Sequence, residues 1–177
     1  MAIPMEPPKS YLLVSILYSP MVDPREPREE LVKLFGEEDV VVGPWNFDHT
    51  NYYEKEMGKD LNKVFLSFEN LISSEQLVEI KLFCIELEEQ FSYKNRRRVN
   101  IDPGYLELSK LVLASTKNYD HRIHLGKGVY GDVQLRFRGG QFVTNPWTYP
   151  DYQTSLTMEF FTRVRQKYHD QLKQLDS

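Results

Sequence analysis

One cysteine in 177 residues, Cys84, excludes an internal disulfide and any multi-cysteine metal site. No apolar run approaches the roughly 20 residues that span a bilayer. The longest early run, Tyr11 to Tyr18, follows Pro4, Pro7 and Pro8 instead of a basic segment, so it reads as a buried strand and not as a signal peptide. There is no G-x-x-x-x-G-K-[ST] loop and no tight His/Cys spacing of a zinc site. Internal repeats and low-complexity linkers are lacking too. Membrane-spanning, P-loop and zinc-finger classes fall away, and the expectation is a cytoplasmic chain with no membrane partner and no metal.

What is present suits a folded domain. Hydrophobic residues make up 41% and aromatics 13%, enough for a sizeable core, and charged residues at 27% suit a soluble surface. Residues 1–9 read as a flexible arm and 10–177 as one domain. A net charge of -4 hides a reversal along the chain. Met21 to Gln90 holds seven Lys/Arg and seventeen Asp/Glu, whereas Lys94 to Arg138 holds ten Lys/Arg and four Asp/Glu. A basic, glycine-punctuated segment is a natural place to bind an anion.

Hydrophobic periodicity orders the elements. Tyr11 to Tyr18 is a strand, and Pro27 opens a helix that Gly36 closes. Val40 to Val42 is a strand stopped by Gly43-Pro44. Trp45 to Asp60 is a long polar and aromatic loop with a helical turn near Glu54 to Met57. Val64, Leu66 and Phe68 alternate as in a strand. Ser73 and Gln76 form a capping-box pattern before a helix with Leu77, Ile80, Cys84, Leu87 and Phe91 on one face. Beyond Arg96 the period becomes two, with a turn at Pro103-Gly104, a strand over Leu106 to Ala114 and a strong strand over Val129 to Arg138. Gly139-Gly140 is a hairpin turn. Leu156, Phe160, Val164, Tyr168 and Leu172 define a last helix capped by Thr154 or Ser155. This order predicts an α+β fold, a mainly antiparallel sheet with helices packed on one face, with a ferredoxin-like arrangement as the preferred variant.

The chemistry-bearing residues concentrate after position 101. Lys117, His121, Arg122, His124 and Lys127 lie within eleven residues, beside Ser115 and Thr116. Arg offers phosphate or carboxylate a planar fork, Lys a point charge and His a proton near neutrality. Gly126-Lys127-Gly128 lets backbone N–H groups approach an anion, although it reads equally as a tight strand connection. Asp102 suits either turn chemistry or a carboxylate facing the basic cluster. Asp132 sits mid-strand as a general base, a ligand or an arginine's ion-pair partner, and the ion pair leads. Trp147 to Tyr152 is an aromatic block that either packs the last helix or stacks on a ligand. Arg96-Arg97-Arg98 is the one nucleic-acid-like feature, and the acidic half of the chain weighs against it.

Several motifs together resemble a known family. They are Phe47-x-x-Thr50-x-Tyr52-Tyr53-x-x-Glu56-Met57-Gly58, Asn100-Ile101-Asp102-Pro103-Gly104-Tyr105-Leu106, Lys110 to Lys117, His121-Arg122-Ile123-x-Leu125-Gly126 and Thr148-Tyr149-Pro150-Asp151-Tyr152. In these the chain resembles, over nearly its whole length, a bacterial family of small cytoplasmic proteins known as domain of unknown function number forty-four sixteen. Some members carry a GTP-binding label, but this chain has no guanine-nucleotide loop. The resemblance carries over no catalytic residue and no cofactor.

The residues themselves therefore set the functional expectation. It is a pocket for a phosphate- or carboxylate-bearing small molecule, a nucleotide among the candidates. Lys117, Arg122 and Lys127 hold the anion, Tyr53 and Trp147 cover the ligand body, and Asp102 lines the pocket. If chemistry occurs, Glu56, His121 and Asp132 are the acid/base candidates. The alternatives are a non-catalytic adaptor whose acidic and basic halves meet different protein partners and, less favoured, an RNA-binding protein.

Overall fold

In the computed structural model, which describes residues 3–175, the apolar run becomes β1 (Ser10–Tyr18), a strand buried on both faces. That double burial explains why the run is nearly continuous and not alternating. Next come helix α1 (Arg25–Phe35), β2 (Glu38–Asn46), the short α2 (Glu54–Met57), β3 (Asn62–Ile72), α3 (Leu77–Gln90) and β4 (Val99–Leu106). Strands β5 (Lys110–Ser115), β6 (Ile123–Gly126), β7 (Val129–Arg138) and β8 (Gln141–Thr144) precede α4 (Ser155–Leu175). All pairings are antiparallel, in the order β2-β3-β1-β4-β5-β7-β6, with β8 also on β7.

The fold is therefore α+β with a mainly antiparallel sheet. Its first four strands, with α1 and α3, follow the βαββαβ order of a ferredoxin-like unit, which β5 to β8 extend on one side. Helices α1 and α3 share one face: Leu31, Ile80, Cys84 and Leu87 pack on Leu12, Val14, Ile16, Leu66 and Ile101. Helix α4 closes the opposite face, where Phe160, Phe161, Val164 and Tyr168 meet Tyr11, Leu13, Phe65 and Leu135. The strict i, i+4 stripe of α4 holds from Phe160 onward, while Leu156 is exposed. Cys84 is fully buried in the first layer, and burial pushes its thiol up to about 12.

Residues 3–9 of the expected arm are exposed and form no helix or strand, while 1 and 2, like 176 and 177 at the far end of the expected domain, lie outside the described residues. The capping box is present: Ser73 Oγ accepts from Glu75 N and Gln76 Oε1 accepts from Ser73 N. Three of the sequence boundaries need correction. Leu106 to Ala114 is not one strand: β4 ends at Leu106, residues 107–109 turn the chain with Glu107 N donating to the Lys110 carbonyl, and β5 begins at Lys110. Gly43-Pro44 does not stop β2, because a register shift between Val42 and Trp45 absorbs the pair and the strand runs on to Asn46. Pro103-Gly104 is not a turn but lies inside β4. A Cβ on Gly104 would meet the Val112 carbonyl oxygen at 2.5 Å and Leu113 Cδ2 at 2.6 Å, so the glycine answers a close strand approach.

That approach is brief. Strand β5 pairs with β4 only from Gly104 to Leu106, against Leu111 to Leu113. Toward the start of β4 the two strands no longer pair, and the sheet forks. Asn100 and Asp102 stand on one side of the fork, Ser115 at the end of β5 on the other.

Candidate functional site

The fork opens into a cleft with two adjoining lobes, of about 580 and about 460 Å³. Tyr52, Tyr53, Asp102, Lys117 and Tyr149 line both. The larger lobe adds polar groups from α3, β4 and the connection between them, among them Lys81, Glu88, Arg97 and Asn100, together with Ser115 and Thr116. The smaller lobe is more aromatic, adding Phe47, His49, Tyr119 and Pro150 over Lys63 and Asp151.

The wall between β4 and α3 is a connected ionic network. Lys81 Nζ donates to Asp102 Oδ1 (3.1 Å) and to the Ile101 carbonyl (2.9 Å). Asn100 Nδ2 donates to Asp102 Oδ2 (2.8 Å), and Arg97 donates to Asn100 Oδ1 (2.9 Å) and Glu88 Oε2 (3.2 Å). Arg97 also grips Glu56 through both carboxylate oxygens, at 2.6 and 2.7 Å. Glu88 Oε1 accepts from Ile101 N at 2.7 Å. Burial alone would raise the Asp102 carboxyl, but Lys81 and Lys63, with hydrogen bonds from Lys81 and Asn100, outweigh it and hold it below the usual range. Glu88 goes the other way, because burial exceeds the help of Lys81, Ile101 N and Arg97. Burial also raises the Tyr53 hydroxyl well above its ordinary value and the Tyr149 hydroxyl to about 12, so both are neutral donors at pH 7.

Asp102 is thus an ionised carboxylate with about a quarter of its side chain exposed. Asp102→Asn is expected to cost about 1.5–3 kcal/mol at pH 7, the usual worth of hydrogen bonds to a charged group. A depressed carboxyl contributes stability above its unfolded value of about 3.9 and loses it as pH falls through the lower folded value. Urea unfolding should therefore show the gap between wild type and Asp102→Asn closing below about pH 4. A gap that stays constant down to pH 2 would mean that the Asp102 charge is not linked to folding.

The expected site residues separate into groups. Tyr53, Asp102 and Lys117 come together at the cleft. Glu56 adjoins it but is held by Arg97. Arg122 does not reach in. It is fully buried, donating to Asp132 Oδ2 (2.8 Å), Ser115 Oγ (2.7 Å), the Lys117 carbonyl (3.1 Å) and Tyr149 Oη (2.8 Å). It stands behind the cleft wall and positions Ser115 and Tyr149, which line it. Asp132 is buried with it, as the ion-pair reading has it. His121 Nε2 lies 3.4 Å from Asp132 Oδ2, and its ring stacks on Trp147 at 4.8 Å. Trp147 itself donates to the Val133 carbonyl (3.0 Å), so it covers His121 and not the cleft. Lys127 pairs with Glu79 (2.5 Å) on exposed surface and lines neither lobe, because β6 carries it to the sheet edge. The arginine run is also divided: Arg97 turns into the ionic network while Arg98 packs over Tyr93 (4.5 Å). Among the described residues no cluster of three or more His, Cys, Asp or Glu is arranged for a metal ion, and no helix is long and apolar enough to cross a membrane.

Sequence reasoning missed Lys63, Lys81, Glu88 and Asn100, and reached Tyr149 and Asp151 only within the aromatic block Trp147 to Tyr152. A signal existed for Lys81 and Glu88. With Leu77 and Cys84 they recur at i, i+4, i+7 and i+11, which sets a cation and an anion into the buried stripe of α3.

Fold and site together define an α+β protein with a mixed-charge cleft where its antiparallel sheet forks. The chain belongs to the family described as Domain of unknown function (DUF4416), whose model matches residues 8–168. No curated protein and no solved structure matches it.

Proposed function

We propose that the fork cleft binds a small molecule bearing a phosphate or carboxylate group, nucleotides being one such class. The observation that carries this reading is the state of Lys117. Lys63, Lys81 and Arg97 line the cleft with carboxylate partners at 2.5, 3.1 and 2.6 Å. Among the described residues, Lys117 is the lysine or arginine of the lining that pairs with no carboxylate; its ammonium meets Tyr52 Oη at 2.9 Å. Its ammonium keeps donors free at the junction of the lobes, with the hydroxyls of Ser115 and Thr116 beside it. The tyrosines of the wall offer faces to a ligand body and hydroxyls that donate to an anion. A cytoplasmic setting belongs to the same reading, since phosphorylated small molecules are held inside cells by their charge.

The test is calorimetric titration with inorganic phosphate, nucleoside monophosphates, sugar phosphates and dicarboxylates. Lys117→Ala should weaken the binding of whichever anion binds by about 1.5–3 kcal/mol, at least tenfold, without lowering the melting temperature. Lys127→Ala should leave binding unchanged. Failure of every anion to bind, or equal binding by Lys117→Ala, would remove the reading.

A further inference from the structure

The two lobes differ in chemistry, and the anion-binding residue stands between them. Lys117 lines both lobes, as do Tyr52, Tyr53 and Tyr149. On one side the lining adds the rings of Phe47, His49 and Tyr119, flat surfaces suited to a planar ring. On the other it adds Glu88, Glu89, Asn95, Asn100 and Ser92 around Lys81 and Arg97. There the cations Lys81 and Arg97 are already claimed by Asp102, Glu88 and Glu56. Apart from Lys117, that lobe holds no unclaimed cation among the described residues for a second anion to meet. Among the described residues, the carboxylates of Asp102 and Glu88 each accept two hydrogen bonds, although a carboxylate has about four lone-pair sites. The polar lobe is therefore built to accept hydrogen bonds from neutral donors, which a hydroxyl-rich group supplies.

We infer that one ligand spans both lobes: a nucleotide joined through its phosphate to a hydroxyl-rich group, as in a nucleoside diphosphate sugar. The base occupies the aromatic lobe, the phosphates meet Lys117 with Ser115 and Thr116, and the sugar hydroxyls meet the carboxylates and asparagines of the polar lobe. Each lobe, at about 460 and about 580 Å³, is of a size that takes one end of such a molecule. This inference rests on the anion reading above and adds what lies on either side of the anion.

The experiment compares whole ligands with their halves by titration calorimetry. The probes are UDP-glucose and GDP-mannose, set against UMP, GMP, glucose 1-phosphate and mannose 1-phosphate. At least one joined probe should bind tenfold or more tightly than either of its halves. Tyr119→Ala should weaken the joined probe and the nucleotide half about tenfold while sparing the sugar phosphate. His49→Ala serves the same purpose if Tyr119→Ala, which also removes packing from Arg122, lowers the melting temperature. Asn95→Gly keeps the left-handed backbone at that position (φ 59°) and should weaken the joined probe and the sugar phosphate while sparing the nucleotide. Halves that bind as tightly as the joined probes, still dependent on Lys117, would overturn the spanning ligand and leave the anion site standing. If none of these probes binds, the spanning ligand is overturned, and the anion reading is decided separately by the titrations with inorganic phosphate and dicarboxylates.

Discussion

Arg122→Ala should unfold the protein more readily by about 3–5 kcal/mol, the cost of removing one partner from a buried ion pair. Both side chains of the Arg122–Asp132 pair are 1% exposed. Alanine would leave the Asp132 carboxylate buried without its cation, and Asp132 Oδ1 already has no hydrogen-bond partner. It would also strip one donor each from Ser115, the Lys117 carbonyl and Tyr149. The double variant Arg122→Met with Asp132→Leu removes both charges and keeps most of the volume, so it should recover much of the loss. Chemical denaturation of the three proteins decides the matter. A loss below about 1 kcal/mol for Arg122→Ala, typical of an exposed salt bridge, would show that the pair is solvated.

Lys63→Met is expected to have a comparable effect for a related reason. Lys63 and Asp151 meet at 2.5 Å with side chains 7% and 4% exposed, and they tie β3 to the turn before α4. The ammonium also lies 5.1, 5.3 and 5.5 Å from the ring centres of Phe47, Phe65 and Tyr152. Methionine fills the space of the stem but leaves Asp151 facing aromatic rings without a cation. The cost should again be about 3–5 kcal/mol, seen as a fall in melting temperature of roughly 6–20 °C for a chain of this size. Lys63→Met with Asp151→Leu should melt well above Lys63→Met alone. If the single variant melts within about 2 °C of wild type, less than 1 kcal/mol, water reaches the pair and it contributes as an exposed salt bridge would.

Of these two pairs the sequence suggests one, since Asp132 reads first as an arginine's ion-pair partner, and hides the other. Periodicity located β7, the hairpin at Gly139-Gly140 and the α4 stripe from Phe160 to Tyr168, because each depends on neighbours a few residues away. The capping box was legible for the same reason. Pro103-Gly104 misled because the dipeptide ordinarily marks a turn, whereas here the glycine makes room for the backbone of β5, a partner chosen by the sheet. The site divides along the same line. Lys117, Tyr53 and Asp102 were recognisable by residue type and location. Arg122 had the right chemistry for an anion, but Asp132, Ser115 and Tyr149 converge on it only after folding and use its donors. Lys63 and Asp151 are 88 positions apart, so no local pattern links them.

The buried thiol of Cys84 has a practical meaning. It is the one cysteine of the chain and sits in the middle of α3, fully enclosed and with its ionisation pushed up to about 12. Thiol reagents attack the thiolate and need access to it. The folded protein should ignore such a reagent, and each labelled molecule records one excursion in which α3 lifted from the sheet. The rate of labelling therefore serves as a clock for that opening. Since α3 also carries Lys81 and Glu88, a ligand seated at the fork should slow the clock, and the slowing can be followed without knowing what the ligand is.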